Sequence, residues 1–362
     1  MVDDVLPSLV RMGHATHCKR CMIGLPASQV DTDPFKMALV FYCLGTLDLT
    51  GQIPADIKAS ETESWREWIW AQQAHGPGGT GFRPGPFMSV HAERDDTYCE
   101  SSENAPQMIM TYTALLSLAI LRDDFSRLDR SGLIAFLKAC QNEDGSFSSE
   151  PYGGDADLRT TYCAFAISSM LSDWSGVHID RALAFVASCR TYEGGYGQTP
   201  FSEASGMHSS ISGPTYCALA SFFLVGQGEQ LSESDKLRTV RWLVVNQEPS
   251  GGFRGRTCKG ADACYSFWCG ASIAILGAKE LVSELSIVSY IASCQFKFGG
   301  IAKVPGDHPD PYHTYLSLAA SAQYPVPEVV GADTWLLPAL DPLLNATRDT
   351  AEWAKRHIRV EN

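Results

Sequence analysis

Residues 251–268 read GGFRGRTCKGADACYSFW and set three cations, Arg254, Arg256 and Lys259, directly before an Asp-x-Cys pair, Asp262 and Cys264. Guanidinium and ammonium groups gather anions, whereas a carboxylate and a thiolate gather a metal. One short segment is therefore suited to hold a phosphate-like group and a metal side by side. A further candidate ligand, His313 in DPYHTYL, follows in a separate stretch. Carboxylate, thiolate and imidazole are three zinc ligands, and three protein ligands leave a fourth position open, as catalytic zinc sites require. Alone, Asp-x-Cys equally describes a cysteine buried at a helix start, so the metal reading depends on a fold that unites the three. Cys18-x-x-Cys21 is another apparent metal pair, but no second pair follows at zinc-finger spacing, and it reads as incidental. Arg256 and Lys259 precede a helix start, whose free N–H groups also favour an anion, and the Tyr265 hydroxyl adds a neutral donor. Lys303 stands ten residues before His313 and can point into the same pocket.

The elements that must position these groups recur along the chain. Gly-rich turns near Phe82, Phe147, Tyr196, Phe253 and Ile301 each precede a helix with a leading tyrosine: Tyr112, Tyr162, Tyr216, Tyr265 and Tyr315. Those tyrosines are 50, 54, 49 and 50 residues apart, a period of about 50 that marks repeated supersecondary units. One helix per unit, as in TYCAFAISSM, is apolar or small nearly all round and needs burial on both faces. Its partner, as in IDRALAFVASCRT, is amphipathic and needs one wet face. Alternation of the two predicts an all-α fold, an α/α toroid with an inner and an outer ring, spanning residues 1–362 as a single domain. An open solenoid is the alternative, because periodicity alone does not show closure. In the toroid, the turn before each inner helix lies at one end, so Asp262, Cys264 and His313 become neighbours. Aromatics at inner-helix starts, Tyr112, Tyr162 and Trp268 among them, would line an apolar cavity or simply pack the core.

Composition narrows the class. The chain has 362 residues, 45% of them apolar and 19% charged, which suits a large globular core. A net charge of −13 without a basic patch argues against nucleic-acid binding. No apolar run approaches the ~18 residues of a membrane span, and no apolar h-region follows the N-terminus. Twelve cysteines scattered through apolar helical stretches suit free thiols in a reducing compartment, so a cytoplasmic location is expected.

Over roughly residues 10–345 the chain resembles the β subunits of protein prenyltransferases, and within them the geranylgeranyltransferase type I group. GGFRGRTCKGADACYSFW is similar to the family motif GG[FY]xGRxxKxxDxCYSFW at every fixed position, DHPDPYHTYLSLAA to its second metal segment, and QMIMTYTALLSLAIL to its second inner helix. The resemblance implies one Zn²⁺ on Asp262, Cys264 and His313, and a prenyl diphosphate held by Arg256, Lys259, Tyr265 and Lys303. It implies an isoprenoid wall including Trp268, Tyr162 and Tyr112, and Arg159 near the C-terminus of a bound CaaX peptide. Ala38 and Leu316 fall where farnesyltransferases carry a tryptophan and a tyrosine, leaving room for geranylgeranyl diphosphate. The implied reaction transfers its prenyl group to the cysteine of CaaL-type motifs of proteins such as Rho-type small GTPases. A separate prenyltransferase α subunit would complete a heterodimer, and Lys303, in place of an aspartate, would make Mg²⁺ unnecessary. The family's diphosphate histidine is missing from EASGMHSSISGPTYC, where His208 is the candidate substitute. A farnesyltransferase β subunit is the alternative. A triterpene cyclase, which shares the toroid, needs an acidic proton donor that Asp155–Leu158 lacks.

Overall fold

The computed structural model describes residues 5–25, 32, 34–53, 57–86, 105–202, 213–256, 258–326 and 330–359. Among them run thirteen α-helices. The first seven are α1 (Arg11–Ile23), α2 (Lys36–Leu49), α3 (Ala59–Trp70), α4 (Met108–Ile120), α5 (Arg130–Cys140), α6 (Leu158–Leu171) and α7 (Ile179–Ser188). The rest are α8 (Pro214–Leu224), α9 (Glu233–Val244), α10 (Tyr265–Ile275), α11 (Glu284–Ser293), α12 (Pro311–Gln323) and α13 (Arg348–His357). The apolar helices α2, α4, α6, α8, α10 and α12 form the inner layer. Every residue of α4 is buried, because it touches neighbours on both sides and the ring interior as well. Helix α7 instead buries Ala182, Leu183, Phe185 and Val186 along one stripe and exposes Asp180 and Arg181. Each inner helix packs on the next, and α12 packs back on α2. The ring is closed, so the toroid holds and the open solenoid does not.

One glycine per turn explains the period. Gly79, Gly145, Gly194, Gly251 and Gly299 all have positive φ, between 91° and 116°. A Cβ at any of them would strike the backbone of an outer helix, α5, α7, α9, α11 and α1 in that order. The repeat is thus a steric requirement for an unstrained turn and a close approach at once. The last of the five, Gly299 against Gly13, is the contact that brings α1 round to shut the outer ring.

Two details depart from the sequence reading. Four antiparallel hairpins interrupt the helices: β1 (Gln73–Gly76) with β2 (Gly79–Phe82), β3 (Ser148–Glu150) with β4 (Gly153–Ala156), β5 (Ile301–Ala302) with β6 (Pro309–Asp310), and β7 (Leu340–Asp341) with β8 (Ala346–Thr347). Their two to four residues are too short for alternation to register. The repeat position in α10 is Phe267, not Tyr265. Thr111, Thr215 and Thr314 each accept a turn N–H just before Tyr112, Tyr216 and Tyr315. Ser266 occupies that place in α10, and the following Phe267 ring packs on Tyr216 at 5.3 Å. Tyr265 instead packs at the helix start against the backbone of Gly255.

Ring closure also buries His14 completely. Its Nδ1 accepts the Gly300 N–H at 2.9 Å, and its Nε2 lies 3.0 Å from Gln295 Oε1. Burial pulls its pKa down to about 4, against about 6.5 when unfolded. The unfolded chain therefore takes up the proton first as pH falls. The stabilisation is complete above about pH 6.5 and is lost towards pH 4, for a total on the order of 3 kcal/mol. Urea midpoints should drop over that range, and His14→Gln should flatten the drop. Parallel curves for the two proteins would show that His14 does not drive it.

Candidate metal and anion site

Two backbone connections build the site. Arg254 and Ala261 pair across a bridge, so Arg256 and Lys259 lie on the loop between them. The Ala263 N–H then donates to the Lys303 carbonyl at 2.9 Å, tying the start of α10 to the β5–β6 hairpin that leads into α12. Asp262, Cys264 and His313 meet there, their ligand atoms all within 4.8 Å of one another. Cys264 Sγ lies 2.9 Å from Asp262 Oδ1, and His313 Nε2 lies 3.3 Å from the same oxygen. Among the described residues no other His, Cys, Asp or Glu cluster of this tightness occurs. Cys18 and Cys21 belong to none.

Burial and mutual hydrogen bonds favour a protonated Cys264 and His313 beside an ionised Asp262. Burial pushes the Cys264 thiol up to about 12, and the Asp262 charge adds to it. For His313 burial opposes the charge, but hydrogen bonds to Asp262 and Asp310 outweigh it and raise the group to about 12. Burial likewise opposes the Asp262 charge, and His313 outweighs it, so its pKa is lowered. Binding a cation here displaces the thiol and imidazole protons. A thiol, a carboxylate and an imidazole suit a divalent transition ion.

Sequence reasoning missed Asp310. Its Oδ2 accepts from His313 Nδ1 at 2.6 Å, while Oδ1 accepts the His313 N–H at 2.9 Å and caps α12. The imidazole is thus turned with Nε2 towards Asp262 and Cys264. The available signal was an acid three residues before His313 at a Pro-marked helix start. Asp310→Asn keeps a capping oxygen but removes the charge behind the ring. Metal affinity should fall by about 10- to 100-fold with the helix intact. Unchanged affinity in a chelator competition would remove Asp310 from the site.

The remaining expected residues are placed as follows. Lys303 Nζ lies 3.8 Å from Asp262 Oδ2 with its side chain 59% exposed, so it stands at the rim of the cluster. Arg256 is half-buried and Lys259 exposed on that loop. The Tyr265 ring lies where a Cβ on Gly255 would be, so the glycine lets the loop close over it. Burial, with the Cys264 and Asp262 charges, pushes the Tyr265 hydroxyl pKa up, which keeps it a donor. Trp268 donates through Nε1 to the Tyr312 hydroxyl at 3.1 Å. Arg159 grips Asp157 at 2.9 Å and 2.5 Å, and Asp157 in turn accepts from Gln198, so the guanidinium is held rigid. Trp268, Tyr162, Tyr112 and Arg159 all line a cavity of about 20 Å³ inside the ring, with Phe41, Tyr42, Tyr216 and Asn345. Ala38 and Leu316 are fully buried in α2 and α12 but do not line it. His208 lies outside the described residues. A larger cavity of about 510 Å³, between α1, α2 and α3, touches none of the expected site residues.

With this geometry in view, the model of the prenyltransferase alpha-alpha toroid domain matches residues 9–346. The chain belongs to that family. It is 37% identical to the geranylgeranyl transferase type-1 subunit beta of Dictyostelium discoideum, covering 86% of this chain and 90% of the relative. With the Arabidopsis thaliana protein of the same name it shares 34% identity over 70% of each. Among solved structures, the Candida albicans protein geranylgeranyltransferase-I complexed with GGPP superposes with a TM-score of 0.84, at 25% identity over 98% of this chain and all of that one.

Proposed function

We propose that this chain is the catalytic β subunit of a protein geranylgeranyltransferase type I. In this reading it transfers a geranylgeranyl group from its diphosphate to the cysteine of a C-terminal CaaL-type motif. The whole chain acts as one toroid domain, paired with a prenyltransferase α subunit in the cytoplasm. No helix among the described residues is long and apolar enough to cross a membrane, in keeping with that setting. The observation that carries the reading is the meeting of Asp262, Cys264 and His313 beside the loop of Arg256 and Lys259. The names of the relatives favour type I over the farnesyltransferase alternative.

Asp262, Cys264 and His313 would hold zinc, which supplies stabilisation of a substrate thiolate at neutral pH. Asp310 keeps His313 turned towards the ion. Arg256, Lys259 and the Tyr265 hydroxyl receive the diphosphate, aided by the positive end of α10. Negative charge grows on the leaving oxygen as the thioether forms, so cations fixed there lower the barrier as well as binding the donor. The nucleophile site and the leaving-group site must therefore adjoin. Trp268, Tyr162 and Tyr112 exclude water from the chain, and Arg159 faces the peptide end.

Co-expression with the α subunit tests this. About one zinc per heterodimer and transfer to a CaaL peptide are expected, and a metal-free, active enzyme would refute the zinc assignment. Lys303 neutralises the diphosphate without Mg²⁺. Lys303→Asp should make the rate magnesium-dependent by about tenfold or more. A native enzyme that already needs magnesium would contradict this role.

A further inference from the structure

A residue from one repeat reaches across to the inner helix of the repeat before it. Gln198 lies in the turn that follows α7, and its carbonyl accepts the Leu158 N–H of α6 at 3.1 Å. Its side-chain Nε2 donates to Asp157 Oδ2 at 2.6 Å. Asp157 is buried, and its Oδ1 accepts the Arg159 N–H at 2.7 Å, which caps α6. Arg159 Nε reaches both carboxylate oxygens, at 3.0 and 2.9 Å, and Nη2 reaches Oδ2 at 2.5 Å. One carboxylate thus sets the start of a helix and the plane of a guanidinium together. Among the described residues, Gln198 is the only side chain from outside α6 that bonds this carboxylate.

The Gln198 amide is not there for stability alone. A carboxylate only accepts, so Nε2 must face Asp157 and Oε1 must face away from it. That Oε1 is buried and has no hydrogen-bond partner among the described residues. An unpaired buried acceptor works against folding. Asp157 already receives three N–H groups of Arg159, so it needs no further donor to be satisfied. Arrangements that cost stability are expected where function requires them. The functional group within reach is Arg159, which lines the aromatic chamber. A guanidinium is a planar fork, so its value to a partner depends on its angle.

We propose that Gln198 is a positioning residue for peptide recognition: by fixing the Asp157 carboxylate, it holds the Arg159 guanidinium at the angle that receives the peptide. The proposal rests on the prenyltransferase reading. Gln198 acts through Asp157 and touches neither peptide nor prenyl donor. Without its bond the carboxylate is freer to turn between the helix cap and Arg159, and the guanidinium follows. Peptide binding then has to order Arg159, which weakens it. The diphosphate residues stand at the start of α10, away from this latch, so donor binding is untouched.

Gln198→Met keeps the length of the side chain and removes both amide atoms, and Gln198→Leu repeats the loss with a different shape. For the heterodimer, the KM for a CaaL peptide, kcat, the calorimetric affinity for geranylgeranyl diphosphate and the urea midpoint are measured together. The peptide KM should rise by about tenfold, the scale of one hydrogen bond to a charged group. Both kcat and the diphosphate affinity should hold, and the midpoint should not fall, because the orphan acceptor leaves with the amide. In an Arg159→Lys background, either change should raise KM no further. A lowered midpoint with an unchanged KM would make Gln198 a structural latch and overturn the proposal. So would a KM effect of full size in the Arg159→Lys background, since Arg159 would then not carry it. A native heterodimer that binds neither peptide nor diphosphate would instead defeat the prenyltransferase reading beneath it.

Discussion

Cys264→Ala should leave the toroid folded while metal content drops from about one ion per chain to near zero. Cys264 is fully buried at the start of α10, with Asp262 on one side and His313 close by. Alanine is a smaller, apolar residue there, so the fold loses little beyond a small cavity. The cation loses one of three protein ligands, and two are too few for a tight site. Transfer should fall by on the order of a thousandfold or more, because the substrate thiol would have to ionise unaided and unpositioned. Elemental analysis of the purified heterodimer, with circular dichroism as the folding control, decides it. Full zinc occupancy in the folded variant would sink the ligand assignment.

Ala38→Trp should reverse the donor preference. Ala38 is one turn before Phe41, whose ring lines the aromatic cavity and packs on Tyr112 and Tyr315 at 6.2 and 5.2 Å. Leu316 adjoins Tyr315 in α12, which packs on α2. In the proposed reading, residues smaller than tryptophan and tyrosine at both places would let the α2–α12 seam take a fourth isoprene unit. Burying five further carbons contributes on the order of 3 kcal/mol, or roughly a hundredfold preference for the twenty-carbon donor. An indole would claim that volume and exclude the terminal isoprene. Donor competition before and after the change measures the swing. A native preference for farnesyl diphosphate would overturn the type I reading. An unchanged preference in the variant would show that the tail runs elsewhere.

Much of this protein was legible without coordinates because burial leaves a local imprint. A helix wet on one face and a helix buried on both differ in composition, and glycine marks each turn where no Cβ fits. Those signals recur about every 50 residues, and they carried the inner and outer rings. The types and spacing of Asp262, Cys264 and His313 left a metal site open beside a buried cysteine, and the resemblance to the prenyltransferase motif singled them out as a ligand set; the fold brings the three together. Closure was different. It depends on small rotations summed over six helix pairs, and only the packing of α12 on α2 and of Gly299 on Gly13 decided it. The register of α10 also needed the fold, since Tyr265 imitates the repeat tyrosine whose place Phe267 holds. Asp310 gained its role from the turn that sets it behind the imidazole. Least readable of all was the β7–β8 hairpin, which reaches into the ring. The tyrosines announced themselves, but their partners are backbone carbonyls of Pro342–Asn345. A carbonyl is the same in every residue, so no residue type can reveal which ones four distant hydroxyls will reach.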